Sequence, residues 1–185
     1  MAFEFKIQLR GISKPAVYRK LKVPENLTFD QFHTAIQRAF GWHNCHLYAF
    51  SEIGYRSAFQ IEMPDPDNEG DSIDSRKVKL KEIFKHEKQT FTYIYDFGDD
   101  WTHKITLEKI TPEKIIRPSC IGGKGKCPPE DCGGIHGYQN FLEILSDPKD
   151  PEYEETREWA WLGEGEEWDV NEFDLEKADA RMERD

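Results

Sequence analysis

Between Tyr95 and Gly134 the chain concentrates the groups from which chemistry is made. The run Tyr95-Asp96-Phe97-Gly98-Asp99-Asp100-Trp101-Thr102-His103 places three carboxylates, an indole and an imidazole together. Cys120, Cys127 and Cys132 follow, the last two bracketing Pro128-Pro129-Glu130-Asp131 and leading into Gly133-Gly134. Both segments read as loops joining strands and helices, where functional groups collect. Two ligand sets can be drawn from them. Three thiols within thirteen residues, with His136 four positions after Cys132 or His103 as the rival fourth donor, suit a tetrahedral zinc ion. With all four positions filled such an ion would be structural. The spacing lacks the Cys-x2-Cys knuckle of specific zinc motifs, and Pro128-Pro129 stiffens the chain after Cys127, so half-buried free thiols are the competing reading. Cys45 stands apart and reads as a small core residue.

The second set is acidic. Asp96, Asp99, Asp100, Glu130 and Asp131 together would suit a hard cation such as Mg2+ or Ca2+, the arrangement that hydrolysis of a phosphodiester needs, with His103 as general base. Each residue also has a plainer role. Asp99 and Asp100 suit a hairpin turn, and Glu130 and Asp131 suit a helix cap or solvent. His103 shares strand parity with Trp101, Ile105 and Leu107, which predicts a hydrogen-bonded core histidine. Known catalytic signatures are absent. Asp96-Phe97-Gly98 lacks the companion loops of a kinase, and Gly122-Gly123-Lys124-Gly125-Lys126 lacks the spacing of a phosphate loop. No G-x-S-x-G elbow or His-Glu-x-x-His helix occurs.

Composition narrows the classes further. The 185 residues carry a net charge of -11, with +4 on residues 1–60, -3 on 61–131 and -12 on 132–185. Duplex nucleic acid selects a basic face, so nucleic acid is not expected as a general partner. Arg10, Lys14, Arg19, Lys20 and Lys22 are expected to be solvated strand positions. Trp159, Trp161 and Trp168 sit among glutamates; exposed, they would suit a basic partner, but at least two are expected to bury against the sheet. No run is long and apolar enough for a membrane span, and the N-terminus opens on a strand pattern, which predicts a cytoplasmic protein.

The elements that must position these groups follow from periodicity. Phe3, Phe5, Ile7 and Leu9 alternate, residues 11–15 turn, and Val17, Leu21 and Val23 resume a period of two, predicting a hairpin. Thr28 and Gln31 form a capping box, with Leu27 placed to staple against Phe32. The helix keeps Phe29, Phe32, Ile36, Ala39 and Phe40 on one face until Gly41. Strands are predicted at 47–50 and 59–63, an exposed loop at 64–74 and a helical turn at 80–84. A second hairpin pairs Phe91, Tyr93, Tyr95 and Phe97 with Trp101, His103, Ile105 and Leu107, with Asp99 and Asp100 at its tip. Three helices close the chain: one on Tyr138, Phe141, Leu142 and Leu145, one capped by Asp150 and ending at Gly163, and one from about 174 to 184. The expected fold is a single α+β domain over 1–185, with a mostly antiparallel, β-grasp-like sheet, helices on one face and a helical C-terminal third.

Taken together, the two motifs resemble the plasmid pRiA4b ORF-3-like protein family. The match runs from Tyr95-Asp96-Phe97-Gly98-Asp99-x-Trp101-x-His103 through Cys120 to Cys127-Pro128-Pro129-Glu130-Asp131-Cys132-Gly133-Gly134-x-x-Gly137-Tyr138. Phe40-Gly41-Trp42, Trp161 and Phe173-Asp174 extend the similarity over nearly the whole chain. The resemblance implies a small α+β domain found in many prokaryotes, often near or on mobile elements, and it implies Val at position 132 in many members. A resolvase role, a label some relatives carry, needs a nucleophilic serine, an arginine cluster and a basic segment, whereas the C-terminal end here is acidic.

The leading expectation is therefore a non-catalytic binding or interaction domain. Its recognition surface is formed by Asp96, Asp99, Asp100, Trp101, Glu130 and Asp131, and its partner is an unidentified protein or small molecule. A metal-dependent hydrolase and a zinc-stabilised structural module are the rivals.

Overall fold

Among the described residues, eight strands form one sheet in the order β5-β4-β3-β6-β7-β1-β2-β8. The computed structural model describes residues 1–63 and 72–183. The strands are β1 (Ala2–Ser13), β2 (Ala16–Pro24), β3 (Tyr48–Ser51), β4 (Ile61–Glu62), β5 (Ile73–Asp74), β6 (Thr90–Tyr95), β7 (Trp101–Thr111) and β8 (Ser119–Lys124). Neighbours are antiparallel except β4 and β5, which run parallel. Of the loop expected at 64–74, residues 64–71 lie outside the described residues, and 73–74 form β5.

Alternation sets the inner face. Phe3, Phe5, Ile7 and Leu9 of β1 are buried, as are Trp101, His103, Ile105 and Leu107 of β7, and the two strands pair directly. Helix α1 (Phe29–Phe40) lies across this face. Its capping box is formed, with Thr28 accepting from the Gln31 amide and the Gln31 side chain accepting from the Thr28 amide. Phe32 packs 4.9 Å from Phe5, and Phe29 packs 5.0 Å from Phe50. Full burial of such a ring contributes about 2–3 kcal/mol. The remaining helices are α2 (Leu80–Ile83), α3 (Gly134–Ser146), α4 (Tyr153–Trp159) and α5 (Leu175–Ala180). Leu80 of α2, Tyr138 and Phe141 of α3 and Ala178 of α5 join the same buried cluster as the sheet and α1. The expected α+β architecture holds, with an eight-stranded, mostly antiparallel sheet clasping α1.

Two local expectations change. Helix α4 starts at Tyr153 and ends at Trp159, shorter than expected at both ends. Asp150 spends its carboxylate on the Glu152 amide and its carbonyl on the Tyr153 amide, which makes a turn before the helix rather than its cap. Arg19 is not a solvated strand residue: it is 3% exposed. Its guanidinium donates to the carbonyls of Ala39, Tyr18 and Lys124 and lies between the rings of Phe40 and Phe173. Arg181 donates to the carbonyls of Arg38 and Ala39. Two cations therefore complement the negative C-terminal end of α1, where the carbonyls lack helical partners. Gly41, at φ 87°, then turns the chain out of the helix in a left-handed conformation that suits glycine.

The C-terminal segment also closes over β8. The outward amide of Cys120 donates to the Asp179 carboxylate at 2.8 Å, and the Phe173 ring lies over Gly123, where a Cβ would stand 2.6 Å from it.

Candidate functional site

Three loops meet at one end of α1: residues 42–47 after Gly41, the β6–β7 tip at 96–100, and residues 128–133 before α3. Trp42 joins the first to the third. Its ring stacks between Phe40 at 5.4 Å and Tyr95 at 5.1 Å, and its Nε1–H donates to the Pro128 carbonyl at 3.0 Å. Asn44 is anchored from below. The Gln37 side-chain oxygen accepts from its amide, and its side-chain oxygen meets His33 Nε2. His33 Nδ1 lies 2.8 Å from the Tyr93 hydroxyl, which also accepts from Gln37. A neutral His33 satisfies this whole chain, with Nε2–H donating to Asn44 and Nδ1 accepting from Tyr93. Burial pushes its pKa down to about 4.

Glu130 is the clasp of the junction. Its side chain is only 7% exposed. One oxygen accepts from the Tyr95 hydroxyl at 2.5 Å and lies 3.6 Å from Cys45 Sγ. The other accepts from the His43 amide at 2.7 Å and lies 2.8 Å from His43 Nδ1. The Tyr95 hydroxyl in turn accepts from the Cys45 amide at 3.1 Å. Burial, together with its bond to Glu130, raises the Tyr95 pKa well above the ordinary phenol value, so it serves as a donor.

Beside this clasp, His46 faces two carboxylates. Its Nε2 is 2.9 Å from Asp131 Oδ1 and 3.7 Å from Asp96 Oδ2. That nitrogen is shielded from solvent yet makes no hydrogen bond of sound geometry. Asp96 is 8% exposed and uses Oδ1 to accept from the Gly98 amide at 2.9 Å, which leaves Oδ2 turned towards His46. Among the described residues, the ligand-type groups that converge within 4.8 Å are His46, Asp96 and Asp131, and Cys45, His46 and Glu130. The loops are held in unusual backbone conformations. Asn44, Asp96 and Asp131 each have φ 58°, and Asp100 has φ 54°. Asn and Asp are the non-glycine residues that enter this region most readily, as single positions in turns, because their short polar side chains can bond locally. One imidazole and two carboxylates converging in this way suit a divalent transition ion such as Zn2+ or Mn2+, with coordination positions left open.

Of the residues singled out by sequence, Asp96, Glu130 and Asp131 come together here. Asp99 instead accepts from the Gly133 amide at 3.1 Å, and Asp100 accepts from the Tyr55 hydroxyl at 3.0 Å. Trp101 is 1% exposed, so it belongs to the core and not to a recognition surface; strand alternation turns it inward with Ile105 and Leu107. His103 is fully buried among Phe40, Trp42 and Tyr93, and neither ring nitrogen has a side-chain or backbone partner of sound geometry. Burial drives its pKa down to about 3, which keeps it neutral in the core.

The proposed thiol set does not form a converging group. Cys120 sits on β8 with its Sγ directed to the Gly122 carbonyl, Cys132 directs its Sγ to the Gly134 carbonyl, and His136 is exposed on the first turn of α3. Burial raises the pKa of Cys120 and Cys127, and lifts that of Cys132 to about 12. Cys45 is exposed and sits in the junction, contrary to the core role expected for it. Sequence reasoning also passed over His43 and His46. The signal was present in Trp42-His43-Asn44-Cys45-His46, three potential ligands packed directly after a helix-stopping glycine.

A sequence model of the family described as Plasmid pRiA4b ORF-3-like protein matches residues 1–177. The chain is 36% identical over 169 residues to the uncharacterized protein y4hQ of Sinorhizobium fredii (strain NBRC 101917 / NGR234), covering 89% of this chain and 84% of that one. It is also similar to a crystal structure of the protein of unknown function MM3350 from Methanosarcina mazei Go1. The TM-score is 0.77 and the identity 36%, with 95% of this chain and 96% of the other covered. Among the described residues, no helix is long and apolar enough to cross a membrane.

Proposed function

The chain belongs to the plasmid pRiA4b ORF-3-like protein family, and from that premise we propose that it is a cytoplasmic binding domain centred on a divalent cation. His46, Asp96 and Asp131 would be the ligands, and Glu130 with Tyr95, His43 and Cys45 the frame that holds them. The observation carrying this reading is His46 Nε2, shielded from solvent, directed at two carboxylate oxygens and lacking a well-formed hydrogen bond. A cation would satisfy all three donors and leave positions for an oxygen or nitrogen of a bound ligand. The cytoplasmic placement rests on four cysteines that are free thiols, which suits a reducing compartment.

Binding is favoured over hydrolysis because a hydrolytic site also needs a free base beside the open positions. Glu130 is already surrounded by donors, and His103 is sealed in the core.

The test is titration of the metal-free chain with Zn2+, Mn2+ and Mg2+ by calorimetry, with native mass spectrometry for stoichiometry. One ion per chain is expected, with affinity at least about tenfold weaker in His46→Ala and Asp96→Asn and unchanged in Cys127→Ser. Binding that survives His46→Ala, or that disappears in Cys127→Ser, would overturn the assignment.

A further inference from the structure

Trp161 is 92% exposed and stands at φ 56° at the end of α4, in the left-handed conformation that helix ends usually give to glycine or asparagine. Neither packing nor backbone preference accounts for an indole there. Trp159 is 45% exposed, so the expectation that at least two of Trp159, Trp161 and Trp168 bury against the sheet fails: two of the three are at the surface.

These indoles border two grooves. One, of about 350 Å³, is lined by Trp42, Pro128, Pro129, Trp159, Trp161 and Trp168 among others. The second, of about 420 Å³, continues from it across the shared residues Trp159 and Asp131, and is lined by Glu152 and Glu155. Neither groove is lined by a lysine or an arginine.

The charge around them is strongly one-sided. Residues 147–176 hold thirteen acidic side chains against two basic ones, a local charge of -11, equal to that of the entire chain. One of the two bases, Arg157, is already bonded to the carbonyls of Gly163 and Glu166. The molecule itself displays the complementary chemistry, because the Lys126 ammonium sits 4.2 Å from the centre of the Trp168 ring. Cations over tryptophan faces are stabilised by the ring quadrupole, and nearby carboxylates add a separate Coulomb attraction.

We infer that the paired grooves meeting at Trp159 and Asp131 are a docking surface for a segment of a partner protein that carries lysine or arginine side chains. The cationic heads lie over the free faces of Trp159 and Trp161, with Glu152 and Glu155 as counter-charges. Their aliphatic stems cover the apolar floor of Pro128 and Pro129. The same field repels nucleic acid and anionic membranes. The inference goes beyond the cation reading and does not depend on it.

The test uses the full 15N-labelled chain in EDTA, titrated with hexaarginine and, as the charge-reversed control, hexaglutamate. The indole N–H signals report binding, assigned through Trp159→Ala and Trp161→Ala. Saturable shifts of the Trp159 and Trp161 signals are expected with hexaarginine and not with hexaglutamate, while the signal of Trp101, which is buried and lines neither groove, stays in place. Affinity is expected to fall about tenfold in Trp161→Ala and in the Glu152→Gln/Glu155→Gln pair. Absence of indole shifts with hexaarginine would overturn the proposal. Equal affinity in wild type and Trp161→Ala would also overturn it, by reducing the effect to diffuse attraction. EDTA removes any ion at His46 from the measurement, so failure of either reading leaves the other standing.

Discussion

In the core, Phe32 lies 4.9 Å from Phe5 and 6.0 Å from Phe50, and nothing in those contacts needs a directed partner. At the loop junction, the same chain holds Glu130 by a phenol, a backbone amide, an imidazole and a thiol, each at a defined atom. The first region is specified by volume and the second by the count of donors and acceptors. Volume tolerates exchange among apolar residues of similar size, whereas a donor left without its acceptor is penalised wherever water cannot reach it. Stability should therefore reside mainly in the first region, and the ligand chemistry in the second.

Phe29→Ala is expected to give the largest loss, about 3–5 kcal/mol in urea unfolding, because the surrounding rings can collapse only partly into the space. The remaining folded fraction should still bind its cation. A smaller loss accompanied by lost binding would break the separation.

Acid comes next, through His33 and His103. Both have folded-state pKa values below the unfolded value near 6.5, at about 4 and about 3. The unfolded chain therefore takes up protons between pH 6.5 and 4 while these two rings do not. Their contribution is complete above pH 6.5 and is lost as pH falls through that window, on the order of 3 kcal/mol for His33 alone. Urea midpoints at pH 7.5, 5.5 and 4.5 should fall in that order and flatten in His33→Gln relative to wild type. An unchanged midpoint at pH 4.5 would show that the core accepts a charged imidazole.

Glu130→Ala should cost about 2–3 kcal/mol by leaving the Tyr95 hydroxyl and the His43 amide without their acceptor, and Glu130→Gln less, because it restores an oxygen. Equal effects would mean that volume, not bonding, governs this region as well. The smallest change should be a gain. Trp161→Gly is expected to raise stability by about 0.5–1 kcal/mol, by relieving the positive φ of an indole that packs on little. A loss would place Trp161 with the core.

The legibility of the sequence divides along the same line. Thr28, Gln31 and Gly41 marked the ends of α1, and the alternation of residues 3–9 and 101–107 marked two central strands, because cap chemistry and period-two burial are local properties. The hairpin tip and its carboxylates were also readable. Arg19 was misread because its charge suggested solvent, while three carbonyls from separate segments await it inside. His46 was missed because its partners stand at positions 96 and 131, and only the completed sheet brings them together. The exposure of Trp159 and Trp161 was unreadable for a related reason, since α4 ends four residues sooner than its cap-like sequence suggests.

The Cys120–Asp179 bond bears on how the molecule coexists with its own copies. An outer strand with unpaired amides is a template on which another chain can add a strand. Here the Asp179 carboxylate occupies one such amide of β8 and the Phe173 ring overlies another stretch of it, while β5, the strand at the other end of the described sheet order, offers only two residues. The acidic C-terminal segment thus acts as a guard against edge-to-edge growth. Its charge keeps neighbouring copies apart at a distance, and its covering contacts leave little ladder to extend if they meet.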